Sequence, residues 1–122
     1  MKTGKKISGG RYHKARKKKK YELARQPRIV KLGAEKKKEI KTRGGKIKAV
    51  LLSANTANLI SRKTKKAEKV KIKNVLETPA NKFLARQNIM IKGAIIETEK
   101  GRARITNSPG QEGSIQAVLI EE

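Results

Sequence analysis

The sequence contains no cysteine and no aspartate, and its single histidine is His13. Without cysteine the chain has no disulfide, no thiolate metal ligand and no thiol nucleophile. Catalytic triads and metal centres are mostly built from histidine, cysteine and carboxylates, so few routes to a catalytic site remain. We therefore expect a protein that is not an enzyme and that uses no metal and no cofactor.

Long apolar runs are also missing. No stretch reaches the 18 or so consecutive apolar residues of a membrane-spanning helix, and residues 1–20 lack the apolar run of a signal peptide. The chain has instead 33 Lys and Arg against 10 acidic residues, a net charge of +23 over 122 residues. Such an excess destabilises a compact chain unless a polyanion neutralises it. We expect a nucleic-acid partner and a cytosolic protein, with no membrane and no small-molecule substrate.

The positive charge is concentrated towards the N-terminus. Residues 1–46 carry 19 basic and 3 acidic side chains, net +16, whereas residues 47–122 carry 14 and 7, net +7. Residues 1–20 hold ten Lys and Arg and no acid, so they cannot bury enough apolar surface to fold alone. We predict a basic arm over residues 1–24 that orders on its partner, where residues 14–26 can become a short helix, and a folded body over residues 25–122.

Short β-branched and aliphatic runs separated by Gly, Pro, Asn and Lys follow the arm and are typical of a small all-β domain. The predicted strands are residues 28–32, 39–43, 46–54, 69–76, 94–98, 102–107 and 114–120. The third should be central because residues 50–52 are continuously apolar, and Gly44-Gly45 should form the turn before it. In the fourth strand, Lys69, Lys71 and Lys73 should share one solvated face.

One helix and one tight hairpin are predicted in the second half. Thr78-Pro79 indicates a helix start, with Thr78 as N-cap and Pro79 as the first helical residue, followed by a helix over residues 80–87 that Asn88 ends. We expect Phe83 in this helix to be buried. Glu99-Lys100-Gly101 predicts a hairpin turn with Gly101 in a left-handed conformation, and residues 108–113 predict a Pro/Gly loop.

These elements predict a mainly β fold. We expect a small closed or nearly closed β-barrel of about six strands with one short helix, preceded by an extended basic N-terminal arm. Closure of the barrel would remove the exposed edges of so small a sheet.

The strongest motif for binding nucleic acid is Ser8-Gly9-Gly10-Arg11-Tyr12-His13-Lys14, followed by Arg16 and the lysine run 17–20. Its glycines let the backbone approach phosphates, its arginines can bind a phosphate through two N–H groups, and Tyr12 can stack on a base or ribose. A solvated tail or a nuclear-import-like basic stretch is the alternative.

Two basic loops are predicted to contact RNA as well. They are Arg43-Gly44-Gly45-Lys46 and Arg62-Lys63-Thr64-Lys65-Lys66, although a merely solubilising loop is an equal alternative for the second. The complete set of predicted RNA-binding residues is Lys2, Lys5, Lys6, Gly9, Gly10, Arg11, Tyr12, His13, Lys14, Arg16, Lys17, Lys18, Lys19, Lys20, Arg25, Arg28, Arg43, Lys46, Lys48, Arg62, Lys63, Lys65 and Lys66.

Three other patterns have ordinary explanations. His13 has no second histidine or cysteine with which to bind a metal, so a backbone or phosphate hydrogen bond is expected. Glu97 and Glu99 flank a hairpin rich in Lys and Arg, where cross-strand pairing explains them better than catalysis. Residues 108–113 lack the Lys-Ser/Thr ending of a phosphate-binding loop, so we interpret them as a turn.

Aromatic residues are few, and they bear on how RNA is recognised. The chain has only Tyr12, Tyr21 and Phe83, whereas single-strand binders of the barrel class stack successive bases on several exposed rings. We expect recognition of folded RNA by its shape and through phosphate and 2′-hydroxyl contacts.

Several motifs make the chain resemble a known family. They are Gly9-Gly10-Arg11 with His13-Lys14-Ala15-Arg16, then Tyr21-Glu22-Leu23, Arg43-Gly44-Gly45, Asn74-Val75-Leu76-Glu77-Thr78-Pro79-Ala80-Asn81, Ile91-Lys92-Gly93-Ala94-Ile95-Ile96-Glu97-Thr98 and Ser108-Pro109-Gly110-Gln111. They span nearly the whole chain and resemble the archaeal and eukaryotic small-subunit ribosomal protein family usually numbered eight. The archaeal branch is the closer match. The eukaryotic members carry a long insertion that this chain lacks, so functions tied to that insertion are not carried over. The resemblance implies a basic N-terminal extension, a β-barrel body and attachment to small-subunit ribosomal RNA without catalysis.

We therefore predict a structural constituent of the small ribosomal subunit in the cytoplasm, a monomer within the ribosome that contacts ribosomal RNA and neighbouring ribosomal proteins. Two other classes stay open. A general chromatin-type protein would share the charge but bind duplex DNA about as well as RNA. An RNA-modifying enzyme with a barrel module is the other, and the missing Asp and Cys argue against it.

Overall fold

The computed structural model describes residues 4–13, 16–24 and 26–120. It is mainly β, with a closed barrel and one short helix, which confirms the predicted fold class. In chain order the elements are a 3-10 turn (Lys20–Glu22), β1 (Lys31–Leu32), β2 (Lys36–Lys41), β3 (Ile47–Ala54), β4 (Thr56–Ile60), β5 (Ala67–Glu77), α1 (Lys82–Arg86), β6 (Ile95–Thr98), β7 (Gly101–Ile105) and β8 (Gln116–Leu119).

The barrel consists of the five strands β4 to β8. Strands β4 to β8 pair antiparallel with their neighbours along the chain, and β8 closes the barrel by pairing parallel with β4, with Leu59 opposite Ala117. The barrel thus holds five strands where about six were predicted, because β1, β2 and β3 form a separate sheet in the order β1-β3-β2. Strand β3 is central in that sheet, as predicted.

Two strand predictions differ from the structure in this region, and one strand was not predicted. The strand predicted at 28–32 is reduced to Lys31–Leu32, although the buried Val30 still accepts a hydrogen bond of 2.8 Å from the backbone N–H of Met90. The edge strand predicted at 39–43 runs from Lys36 to Lys41, because it pairs with β3 from the start of that range and the chain turns at Arg43. Strand β4 was not predicted at all.

The core is aliphatic. Buried side chains from all five barrel strands join residues of β3 and the connecting loops in one cluster, which consists of Val30, Leu51, Ala54, Ala57, Leu59, Val70, Ile72, Val75, Met90, Ala94, Ile96, Ala103, Ile105, Ile115 and Ala117. Alanine supplies several of the inward positions, which suits the narrow interior of a five-stranded barrel.

Helix α1 begins later than predicted. Asn81 is its N-cap, since the Asn81 side chain accepts a 3.0 Å hydrogen bond from the backbone N–H of Phe83, and the Thr78 N-cap prediction is wrong. Thr78 is fully buried, and its hydroxyl donates to the carbonyl of Asn81. This bond ties residues 78–81 into a turn instead of a first helical turn. Asn88 follows the helix with φ +52, as expected of a residue that ends it.

The burial predicted for Phe83 is also wrong, because 70% of its surface is exposed. A helix of five residues has only about one turn, so it can direct a single narrow stripe at the barrel. Leu84 and Ala85 occupy that stripe and are half-buried.

The hairpin and the Pro/Gly loop form as predicted. Glu99 and Lys100 connect β6 to β7, Thr98 pairs with Gly101, and Gly101 takes φ +123, a conformation that side-chain-bearing residues seldom adopt. In the loop 108–113, Pro109 is buried, and the carbonyls of Pro109 and Glu112 both accept from the backbone N–H of Leu51. The loop therefore bonds to the central strand of the three-stranded sheet.

Candidate nucleic-acid interface

The first arm turn, residues 4–12, contains the Gly-Gly-Arg motif. Lys5 and Arg11 form an antiparallel bridge, and the backbone N–H of Lys6 donates to the carbonyl of Gly10 at 2.7 Å. Gly9 lies at the tip with φ +81. The described residues of this turn are all exposed, so the predicted contacts Lys5, Lys6 and Arg11 face solvent. The ammonium of Lys6 lies 5.6 Å from the centre of the exposed Tyr12 ring.

The second arm turn, residues 16–23, is held by one ion pair. The Arg16 guanidinium donates to both carboxylate oxygens of Glu22, at 2.7 and 2.8 Å, and the backbone N–H of Lys19 donates to the same carboxylate at 3.0 Å. The Arg16 side chain, and secondarily the Lys19 N–H, lower the pKa of Glu22, while the pair raises the pKa of Arg16. Lys17, Lys18, Lys19 and Lys20 are exposed around it.

The sequence predicts that residues 14–26 can become a short helix on the partner. The described residues of this range contain only the 3-10 turn Lys20–Glu22. Of the predicted RNA contacts, Lys2, Lys14 and Arg25 lie outside the described residues. Arg16 is exposed, but its guanidinium is engaged by Glu22.

The loop between β2 and β3 presents Arg43 and Lys46 to solvent. Its ends are joined by two hydrogen bonds from Thr42, whose N–H and hydroxyl both donate to the carbonyl of Lys46, at 2.8 and 2.9 Å. Gly44 and Gly45 have φ +81 and +75, which explains why glycine occupies both positions. The predicted turn is therefore confirmed, and it presents two exposed basic side chains.

The loop between β4 and β5 is a second tight basic turn. The N–H of Lys65 donates to the carbonyl of Ser61 at 2.9 Å, and residues 62–66 are all exposed. Arg62 lines a groove of about 330 Å³ together with Arg104, above the apolar side chains Val118, Leu119 and Ile120. Neither arginine pairs with a carboxylate among the described residues.

The lysine face predicted on β5 is confirmed. Lys69, Lys71 and Lys73 are exposed, whereas Val70 and Ile72 between them are buried. The barrel thus has a row of cations along the outer face of β5.

Two predicted contacts also hold the protein together. Arg28 is half-buried, and its Nε–H donates to the carbonyl of Gly110 at 2.9 Å. The ammonium of Lys48 donates to the side-chain oxygen of Gln111 at 2.8 Å. Lys48 therefore anchors the loop 108–113 to β3, and Arg28 anchors it to the segment that leads into β1. His13 is exposed.

Several exposed cations were not among the predicted contacts. Lys36 and Lys38 of β2, Lys82 and Arg86 of α1, and Arg104 of β7 all face solvent. The Lys36-Lys37-Lys38 run was visible as a charge cluster in the sequence. The other three are isolated basic residues, and only the folded chain shows that Arg104 and Arg62 line the same groove.

The described acidic residues are not grouped into a metal site. Among the described residues no group of three or more His or acidic side chains is placed to hold a metal ion. Glu97 lies directly opposite Arg102 in the β6–β7 register, as cross-strand pairing requires. No helix in the described ranges is long and apolar enough to cross a membrane.

Comparison with known proteins agrees with these features. The profile of the family described as Ribosomal protein S8e matches residues 1–120. The small ribosomal subunit protein eS8 of Methanocorpusculum labreanum is 47% identical over 120 residues, which cover 98% of this chain and 96% of that protein. The small ribosomal subunit protein eS8 of Methanosphaerula palustris is 43% identical over 120 residues, which again cover 98% of this chain and 96% of that protein. The chain therefore belongs to the ribosomal protein S8e family.

Proposed function

We propose that this protein is a structural constituent of the small ribosomal subunit in the cytoplasm, where it binds and stabilises folded ribosomal RNA. The observation that carries the proposal is the family match over residues 1–120, supported by relatives named as small-subunit proteins across 98% of the chain. Its role is to bind RNA, and it catalyses no reaction. Neighbouring ribosomal proteins are its other expected partners, and it acts as a monomer within the ribosome.

The distribution of charge supports binding through phosphates. The chain has 33 basic and 10 acidic side chains. Even if every carboxylate paired with one cation, 23 cations would remain without a carboxylate partner. Most of the described cations are exposed, and two tight turns in the body present them in pairs. Closely spaced cations on fixed turns match the closely spaced phosphates of folded RNA.

We further propose a division of labour along the chain. Residues 1–24 act as an arm that enters crevices between RNA helices, and residues 25–122 act as a barrel body seated on the RNA surface. The hydrogen bonds that the described arm residues make with one another span at most eight residues, so each turn can be placed on RNA independently. The RNA-binding residues predicted from the sequence provide the phosphate contacts, with Arg28 and Lys48 acting partly through the loop 108–113 that they hold.

A competition experiment tests the proposed function. Labelled small-subunit ribosomal RNA of Methanocorpusculum labreanum is bound to the full chain at physiological salt, and unlabelled competitors are titrated in. We expect the same RNA to compete at much lower concentration than duplex DNA of equal length, because DNA offers phosphates without the shape of the folded RNA. Equal competition by DNA would instead indicate a general nucleic-acid-binding protein.

A further inference from the structure

All three aromatic rings of the chain are exposed. Tyr12 is 55% exposed, Tyr21 78% and Phe83 70%, whereas the core cluster is made only of aliphatic residues and methionine. Each ring also has a cation close to it, namely Lys6, Lys19 and Arg86. The fold therefore does not use its aromatic residues for packing.

Phe83 differs from the two tyrosines because it lies in helix α1, which packs against the barrel strand β5. Its backbone N–H is fixed by the Asn81 cap at 3.0 Å, and the carbonyl of Leu84, the next residue, accepts from the N–H of Ile89, which is buried. Leu84 and Ala85 pack inward, so the opposite side of the short helix presents Phe83 outward. Covering this exposed phenyl group with a partner would gain hydration free energy.

The surroundings of Phe83 are basic. The Arg86 guanidinium lies 6.0 Å from the ring centre. Lys82 and Arg86, although not Phe83 itself, line a shallow groove of about 500 Å³ along β5. The rest of the groove lining is Asn74, Val75, Leu76, Ala85 and Asn88, without a carboxylate. Within the described part of the chain, neither Lys82 nor Arg86 pairs with an acidic residue.

We propose that Phe83 stacks on one unpaired nucleobase of the partner RNA, while Lys82 and Arg86 bind the phosphates beside that base. This inference rests on the proposed function and adds a base contact to recognition by phosphate and shape. A phenyl ring has no hydrogen-bonding group, so it takes any base through its π-face. The two flanking cations favour a polyanion over the apolar surface of a neighbouring protein.

The test uses the full chain and small-subunit ribosomal RNA of Methanocorpusculum labreanum, probed with base-specific reagents and, separately, with hydroxyl radicals that report on the backbone. The variants are Phe83→Leu, which keeps an apolar side chain without a ring, and Phe83→Tyr, which keeps the ring. Ile47→Ala is the matched control, because Ile47 of β3 is 63% exposed and also apolar. Since Phe83 and Ile47 are both exposed, all three variants are expected to fold. Circular dichroism checks this.

In Phe83→Leu we expect one or two nucleobases that the wild type protects to become reactive, with the remaining backbone footprint unchanged. The affinity should fall about fivefold to one-hundredfold, in line with the loss of one base–aromatic stack. Phe83→Tyr and Ile47→Ala should match the wild type.

An unchanged base pattern and affinity in Phe83→Leu would overturn the stacking inference while leaving the proposed function intact. The stacking inference would also be overturned if Phe83→Leu bound RNA normally but failed to join assembled subunits, because Phe83 would then contact a protein. If the wild type itself binds this RNA no better than DNA, the proposed function fails first.

Discussion

Gly110 shows how tightly one residue can be constrained in this protein. A Cβ atom at this position would lie 3.0 Å from the carbonyl oxygen of Arg28 and 3.4 Å from the Arg28 Cβ. The same glycine accepts the Arg28 Nε–H hydrogen bond through its own carbonyl. The loop 108–113 can therefore approach the entry to β1 only because residue 110 has no side chain.

We expect Gly110→Ala to destabilise the fold by about 1–3 kcal/mol, the usual cost of forcing an extra methyl group into a packed contact. The nearest atom is a backbone carbonyl oxygen, which cannot move aside as the end of a flexible side chain would. Urea unfolding followed by circular dichroism measures the effect. Gly33→Ala is the matched control, since a Cβ there meets nothing within 4 Å, and it should change stability by no more than about 1 kcal/mol. Equal stability of the two variants would contradict the crowding at Gly110.

Single residues were the hardest feature to predict from sequence. Phe83 belongs to a residue type that is usually buried, and its exposure depends on where a one-turn helix meets the barrel. The sequence pattern also did not show that Glu22, six residues after Arg16, engages the Arg16 guanidinium. Such partners are set by chain geometry that the pattern of residue types does not encode.

At the scale of elements, the second arm turn depends on a charged group. The pKa of Glu22 is lowered in the turn by the Arg16 side chain and the Lys19 N–H. A carboxylate with a lowered pKa stabilises the turn fully above the pKa it has in an open chain. That stabilisation is lost as the pH falls through the lowered value. The turn should therefore be formed at neutral pH and open in acid.

We predict that the Glu22 carboxyl, followed by carbon NMR, titrates at lower pH in the wild type than in Arg16→Gln. Removing the guanidinium removes the largest cause of the shift, so the midpoint should move up towards the ordinary value for glutamate. Lys17→Gln deletes the same charge one residue away and serves as the control, with a midpoint close to that of the wild type. If Arg16→Gln and Lys17→Gln titrate alike, general positive charge and not the ion pair governs Glu22.

Elements were predicted well where local signals agreed and poorly where packing decided. The β6–β7 hairpin and the Gly44-Gly45 turn follow from residues with clear conformational preferences. Strand β4 was missed because alanine and asparagine are poor strand formers, yet Ala57 and Leu59 point inward and Asn58 pairs with Lys69. The helix start was misplaced because both Thr78 and Asn81 suit an N-cap, and the burial of Thr78 decides between them.

At the scale of the whole molecule, the proposed body and the proposed arm carry their excess charge in different ways. The body buries a compact aliphatic core and keeps its cations on outer faces and turns. Residues 1–24 carry ten basic side chains and one acid, and none of the described residues among them is buried. The arm therefore has little to gain from packing and much to gain from phosphates.

Deleting residues 1–24 should separate these two contributions. We expect the truncated chain to keep its β-sheet spectrum and melting temperature, because the core cluster lies entirely within residues 30–117. Binding to small-subunit ribosomal RNA should weaken by orders of magnitude. Each phosphate contact adds about 0.9 to the magnitude of the slope of log affinity against log salt concentration. If half of the ten basic residues in the arm contact phosphates, the deletion should lower this slope by about four or five.

Binding titrations of the full and the truncated chain at several salt concentrations measure this difference. A variant changed only within residues 25–122 provides the comparison. Replacing Lys69, Lys71 and Lys73 on β5 by glutamine removes three exposed cations without touching the core, so it should lower the slope by at most about three. A truncated chain with the slope and affinity of the full chain would show that the body alone binds RNA. Unfolding of the truncated chain would instead place the boundary between arm and body before residue 24.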